Sequence, residues 1–247
     1  MNRYEKLSLT NNVRVLKNHP IYLLLPKGID TTEFLLLAPH VKVKFFSQTF
    51  FNTYKGSNLF WLTPEIYDTF KKYQYLLKCE LDAFVFRDEL SNWCNEGYDY
   101  VGAPWINHPT RMFAVNQLFD TKKGVVLKIK SLLSGNMNHR SSFVGNGGLS
   151  LRKTSTFRYL TRALPYIFPN VFRDNYQEDV VWSIYVSSYF SLVFKRPPYQ
   201  KAAFFSMETN LEECMKLTSG ELPFGCHAWY KYNMSFWEPY ISSFTNV

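Results

Sequence analysis

Apolar positions recur along this chain at two spacings. Tyr4, Leu7, Val13 and Leu16 fall at roughly helical intervals across residues 4–17, and Pro20 follows as a stop. Ile21-Tyr22-Leu23-Leu24-Leu25 is a continuous apolar run closed by Pro26-Lys27-Gly28, the pattern of a buried strand. Val41–Phe46 alternates apolar residues with lysine as a second strand. Thr63-Pro64-Glu65 combines an N-cap residue with proline at the first helical position and opens a helix to about Phe70. Tyr73–Cys79 predicts a third strand, Leu90–Glu96 a short helix and Tyr98–Gly102 another strand. From Ala103 to Ser142 the pattern is undecided, apart from an amphipathic helix near Val125–Leu133. Thr154–Leu164 and Glu178–Ser188 read as helices, and Ala202–Met207 as a strand. No repeat, low-complexity tract or Gly/Ser linker interrupts residues 1–247, so a single domain is expected. Alternating strands and helices predict an α/β sandwich around a largely parallel sheet.

One stretch breaks the periodicity. Phe143-Val144-Gly145-Asn146-Gly147-Gly148-Leu149-Ser150-Leu151-Arg152 places three glycines and an asparagine in four consecutive positions of a chain with only 11 glycines. Glycine carries an entropic cost, so such a cluster marks either a bulged turn or backbone passing close to another group. The alternating exit from Leu149 to Arg152 reads as a strand, with the glycines at its mouth.

Composition narrows the function classes. Hydrophobic content of 46% is ample for a core, and the 18% aromatic content fits either a core or stacking surfaces for sugars and bases. The net charge of +8 favours anionic partners. That charge is dispersed: Lys122-Lys123, Lys128 with Lys130, and Lys195-Arg196 are its densest groups. No basic stripe or reader motif points to nucleic acid. Four cysteines without CxxC spacing suit a reducing compartment and argue against a structural zinc. No signal segment or spanning run is evident, so the expected location is the cytoplasm. The basic surface allows a peripheral contact with anionic lipid at the inner face of the membrane.

Two acidic pairs and a histidine carry the candidate chemistry. Glu80-Leu81-Asp82 puts two carboxylates two residues apart at the end of an apolar strand. If the backbone stays extended, both point the same way and suit a hard divalent cation. The competing explanation is a strand that ends in charge because it reaches solvent. Glu178-Asp179 opens an apolar helix, where acidic residues complement the dipole or supply a general base. His227, in Phe224-Gly225-Cys226-His227-Ala228-Trp229, is either a satisfied structural residue or a nitrogen ligand to the same metal. Tyr98, Trp105, Trp182 and Trp229 are candidates for stacking, with core packing as the alternative.

Taken in order, these motifs resemble a bacterial DUF5672-type family of glycosyltransferase-like proteins. The resemblance rests on Leu81-Asp82-Ala83-Phe84-Val85-Phe86, Gly97-Tyr98-Asp99-Tyr100-Val101-Gly102-Ala103-Pro104-Trp105, Val144 to Arg152, Glu178-Asp179 and Pro223 to Trp229. It implies an α/β fold, a GT-A-like Rossmann-type sandwich with a mostly parallel central sheet. It also implies a nucleotide-sugar donor (UDP- or GDP-sugar) and a glycan or lipid-linked acceptor, as in polysaccharide biosynthesis. Asp82 and Glu80 would stand where such enzymes carry an Asp-x-Asp metal motif, with Glu replacing the first Asp. His227 would complete the shell around Mn²⁺ or Mg²⁺. Glu178 or Asp179 would act as base, while Asn146, Gly147, Gly148, Arg152, Trp105 and Trp229 would bind substrate. The strand that normally precedes the first helix in the family has no counterpart here. That departure sets a catalytically inactive, glycosyltransferase-like binding protein beside the enzyme as the alternative expectation.

Overall fold

The computed structural model describes residues 1–106, 142–169 and 177–245. The amphipathic helix expected near Val125–Leu133 and the lysines from 122 to 130 lie outside the described residues. The first helix, α1 (Arg3–Val15), starts at Asn2. The Asn2 side chain accepts from the backbone N–H groups of Tyr4 and Glu5, while the Glu5 carboxylate accepts from the Asn2 N–H. Strand β1 (Tyr22–Pro26) follows, then α2 (Thr32–Leu37) and β2 (Lys42–Phe46). Helices α3 (Tyr54–Leu62) and α4 (Pro64–Thr69) meet at Thr63. Its hydroxyl donates back to the Phe60 carbonyl rather than capping α4.

Next come β3 (Tyr75–Cys79), β4 (Phe84–Val85), α5 (Leu90–Asn95), β5 (Tyr100–Val101) and β6 (Pro104–Ile106). Beyond residue 141 lie β7 (Ser142–Val144), β8 (Leu149–Lys153) and α6 (Thr154–Ile167). Helix α7 begins as Glu178–Val180, passes through a π-helical stretch over Val181–Val186 and ends as Ser187–Tyr189. The chain closes with α8 (Tyr199–Phe205), β9 (Ser206–Met207), α9 (Leu211–Leu217), β10 (Gly225–Cys226), α10 (Trp229–Tyr232) and α11 (Met234–Thr245). Among the described residues, no helix is long and apolar enough to cross a membrane.

The protein is mixed α/β, but a mostly parallel central sheet, and with it the GT-A-like Rossmann-type sandwich, is not what forms. The described strands make four small sheets, in the orders β1-β2, β4-β10-β9, β3-β8-β5 and β6-β7. Parallel pairing joins β1 to β2 and β10 to β9, whereas β8 runs antiparallel to both β3 and β5. The composition of β8 explains its partners. Leu149 and Leu151 face one apolar cluster with Leu77 and Val101, while Ser150 and Arg152 face the other way. A strand with one apolar and one polar face suits an antiparallel sheet; parallel sheets bury strands that are apolar on both faces.

A second correction concerns Ala202–Met207. Most of that run is helical, because Pro197-Pro198 set up the start of α8 and the two alanines favour it, leaving two residues for β9.

Strand β4 is held on both edges, by β10 on one side and by two side chains of α1 on the other. Asn12 Nδ2 donates to the Ala83 carbonyl at 2.8 Å, and the Val85 N–H donates to Asn12 Oδ1 at 2.8 Å. Asn11 Nδ2 donates to the Val85 carbonyl at 2.7 Å. The two buried asparagines thus make the hydrogen bonds of an adjacent strand, pairing the Ala83 carbonyl and both backbone groups of Val85. Replacing Asn12 with Leu orphans two of those groups. Asn12→Leu is expected to destabilise the protein by about 2–4 kcal/mol, readable as a lower urea midpoint with an unchanged m-value.

Candidate metal centre

The β3–β8 register sets Lys78 opposite Ser150 and Cys79 opposite Leu149. The ladder runs one step further, with the Glu80 N–H donating to the Gly148 carbonyl at 2.9 Å. The chain then turns, since the Ala83 N–H donates to the Glu80 carbonyl at 2.9 Å. Glu80 and Asp82 therefore converge through a turn, not through the extended backbone expected from their spacing. His227 arrives from the end of β10, its N–H donating to the Met207 carbonyl at 3.1 Å. Its Nε2 lies 3.1 Å from Asp82 Oδ1 and 3.3 Å from Glu80 Oε2. One ligand atom from each of Glu80, Asp82 and His227 falls within 4.8 Å of the others.

The glycine stretch now has a physical cause. A Cβ on Gly148 would overlap the His227 ring, and one on Gly147 would overlap the Glu178 carboxylate. Both glycines are places where a titratable side chain lies directly on the backbone. Asn146 adds two polar links: its Oδ1 accepts from the Gly148 N–H at 2.8 Å, and its Nδ2 donates to Glu208 Oε2 at 2.6 Å. The other Glu208 oxygen, Oε1, lies 3.0 Å from His227 Nδ1. Glu208 and His227 each follow directly on residues paired in parallel, Met207 and Cys226, so their side chains emerge together. A carboxylate behind a ligating imidazole fixes the ring and directs its other nitrogen outward.

Charges surround this group closely. Lys78 Nζ lies 2.7 Å from Glu80 Oε1, and Lys231 Nζ lies 2.7 Å from Asp82 Oδ2. Burial pushes the Glu80 carboxyl up, but Lys78 and the His227 ring outweigh it and hold it well below the usual carboxylate range. Burial likewise raises Asp82, and His227 and Lys231 reverse this. For His227, burial alone would favour the neutral ring; its bonds to Asp82, Glu208 and Glu80 raise it well above its ordinary value. The carboxylates are thereby kept ionised, the state a cation needs, with positive partners that an incoming cation would have to displace.

The donors fit Mn²⁺ or Mg²⁺: two carboxylates and one imidazole at the surface end of a strand. Asp82 Oδ2 is buried, and its close partner among the described residues is the Lys231 ammonium at 2.7 Å.

The remaining expected site residues divide sharply. Arg152 and Glu178 are both buried and bound to each other, with Arg152 Nη2 2.8 Å and 3.0 Å from the two Glu178 oxygens. Arg152 also donates to the Tyr67 hydroxyl at 2.9 Å and to Ser150 Oγ at 3.1 Å. Lys78 Nζ reaches Glu178 Oε1 at 2.9 Å, and the Glu178 N–H donates to Asn58 Oδ1 at 2.9 Å. Burial raises the Glu178 carboxyl, but Arg152 and Lys78 outweigh it and hold it below its ordinary value. Asp179 is only partly buried and lies beside Gly147.

Trp105 and Trp229 are core residues. The Trp105 ring packs where a Gly145 side chain would be. Trp229 donates to Ser8 Oγ at 2.9 Å and stacks edge-on against Tyr4 and Phe84. Trp182 is fully buried as well, while Tyr98 is partly exposed.

Sequence reasoning missed Glu208, Lys78 and Lys231. Only Glu208 left a trace: like Glu80 and His227, it is a titratable residue just beyond a strand. Nothing in the spacing of either lysine identifies its partner.

Removing Glu178 leaves Arg152 and Lys78 with one fewer buried counter-charge. Glu178→Ala is expected to cost about 3–5 kcal/mol at pH 7, measured by urea unfolding. Because the folded carboxyl lies below its ordinary value, its contribution is complete above about pH 4.3 and fades as pH falls through the folded value. The difference between wild type and variant should therefore shrink at pH 3. A variant as stable as wild type at pH 7 would remove Glu178 from the structural core.

No curated protein matches the chain. The model of a family described as "Protein of unknown function (DUF5672)" matches residues 40–227, a span holding Glu80, Asp82, Glu178, Glu208 and His227, and the chain belongs to that family.

Proposed function

We propose that this protein is a metal-dependent glycosyltransferase that moves a sugar from a nucleotide-sugar donor to a glycan or lipid-linked acceptor. The observation that carries the reading is the convergence of Glu80, Asp82 and His227 on one another beside the backbone of Gly148. Support also comes from the order of motifs along the chain, which resembles glycosyltransferase-like proteins. A bound Mn²⁺ or Mg²⁺ would supply positive charge to the diphosphate oxygens of the departing nucleotide.

The chain's own groups take the remaining roles. Asp82 and Glu80 would hold the cation and His227 would be its nitrogen ligand, with Glu208 fixing the ring. Asp179 is the carboxylate we assign as base, because it is partly exposed while Glu178 is committed to Arg152 and Lys78. It would take the proton of the acceptor hydroxyl as that oxygen bonds to the anomeric carbon and the bond from that carbon to the donor phosphate oxygen breaks. Glu178 positions the first turn of α7, and with it Asp179.

A second reading, a non-catalytic binding protein, draws on one specific observation. Of the two acidic residues at the start of α7, Glu178 is sequestered in the core, and the expected aromatic platforms Trp105 and Trp229 are buried. Turnover separates the two readings.

Calorimetric titration of UDP and GDP should show binding that needs Mn²⁺. Asp82→Asn should weaken it by at least about tenfold while the melting temperature shifts little. With donor and acceptor supplied, Asp179→Asn should lower kcat on the order of 10²- to 10⁴-fold at near-constant donor affinity. Metal-dependent binding without any sugar transfer would favour the binding protein. Absence of metal-dependent binding in a folded protein would overturn the proposal.

A further inference from the structure

The positive groups around the metal position differ in how firmly they are held. Lys78 Nζ is almost wholly buried, paired with both Glu80 and Glu178 and set over the Trp61 ring at 4.9 Å. His227 is backed by Glu208 and pressed against Gly148. Lys231 is different: its side chain is 52% exposed, and its one ion pair among the described residues is with the buried Asp82 Oδ2 at 2.7 Å. It stands on the four-residue helix α10, next to Tyr230, and reaches back because Ala228 adopts a left-handed conformation (φ 50°) directly after His227. The groups facing it are therefore Asp82, Glu80 and Tyr230.

We propose that Lys231 is a displaceable cation: it occupies Asp82 when the metal is out and, once released by the metal, becomes a binding residue for a diphosphate anion at the mouth of the site. The inference rests on the metal reading above and deepens it. A divalent ion ligated by Asp82 competes with the ammonium for the same carboxylate. The displaced ammonium stays tethered by α10 beside Asp82 on a half-exposed side chain, free to make charge-assisted hydrogen bonds to an anion that the metal attracts. Metal and anion then bind in order, because the cation that receives the anion is freed by the metal.

The test is calorimetric titration of Mn²⁺ into the full chain as wild type, Lys231→Met, Lys231→Arg and Asp82→Asn. Inorganic pyrophosphate is then titrated into each Mn²⁺-loaded protein. With its competitor removed, Lys231→Met should bind Mn²⁺ more tightly, on the order of threefold to tenfold. It should bind pyrophosphate more weakly, on the order of tenfold, while Lys231→Arg stays near wild type in both. Circular dichroism checks that each variant is folded, which the half-exposed Lys231 side chain favours for the substitutions at that position and the near-isosteric change favours for Asp82→Asn.

Unchanged or weaker Mn²⁺ binding by Lys231→Met would overturn the displacement, and unchanged pyrophosphate affinity would overturn the anion role. If wild type binds Mn²⁺, loses it in Asp82→Asn and ignores Lys231, the metal site stands and this inference falls. If wild type binds no Mn²⁺, both fall together.

Discussion

A single ammonium group, that of Lys78, ties the interior of this protein to its candidate site. Inside the fold, Arg152 and Lys78 share one carboxylate, Glu178, which leaves one positive charge in excess beneath the sheet. Uncompensated buried charge costs several kcal/mol, so the excess must be met nearby. Glu80 meets it from the surface side, with Oε1 on Lys78 and Oε2 on His227. That double duty gives a physical reason for glutamate where the resemblance expects aspartate. The longer side chain spans from the strand's own lysine to the histidine across the turn, whereas Asp82 contacts only groups at the site.

The second constraint is close packing at strand ends. Gly148 ends the run opposite β3, and its bare backbone accepts the His227 ring. His227 and Glu208 emerge side by side because β9 and β10 run in parallel, and Asn146 ties Glu208 back to the glycine stretch. Three segments distant in sequence are thus locked by hydrogen bonds around one imidazole. The left-handed Ala228 continues the pattern: a non-glycine residue in that region carries strain, and such strain gathers where the chain must be aimed. Here it returns Lys231 to Asp82.

Local pattern made much of this legible. The alternation in β8, the apolar runs of β1 and β3, the proline at the start of α4 and the periodicity of α1 each state their element without outside help. Asp82, Glu80 and His227, chosen for their chemistry, are brought together. The alternation of β8 suited the antiparallel pairing that forms, but the alternating order of strands and helices outweighed it; that the polar face of β8 is buried against Glu178 left no sign at the level of spacing. The α8–β9 boundary was misread for a related reason: Ala-Ala-Phe-Phe is apolar in either period, and the prolines before it decide. The fates of Trp105 and Trp229 were equally invisible, since an aromatic residue reads the same whether it stacks on a ligand or fills a core. Asn11 and Asn12 look like polar interruptions of a helix, and only the fold shows them completing the edge of β4.

The link through Lys78 has a consequence for how mutations at this site can be read. A change at Glu80 removes a candidate metal donor and also a counter-charge of the interior, so any effects on binding and on stability arrive together and cannot be apportioned singly. Among the described residues, Asp82 and Lys231 make no ion pair with Arg152, Glu178 or Lys78 and couple to that network through His227 and Glu80. Energetic separation therefore follows position along the turn: the first carboxylate belongs to both fold and site, the second to the site. The candidate metal site is thus separable from the fold at Asp82 and Lys231, whereas Glu80 is bound to the stability of the Arg152–Glu178–Lys78 cluster.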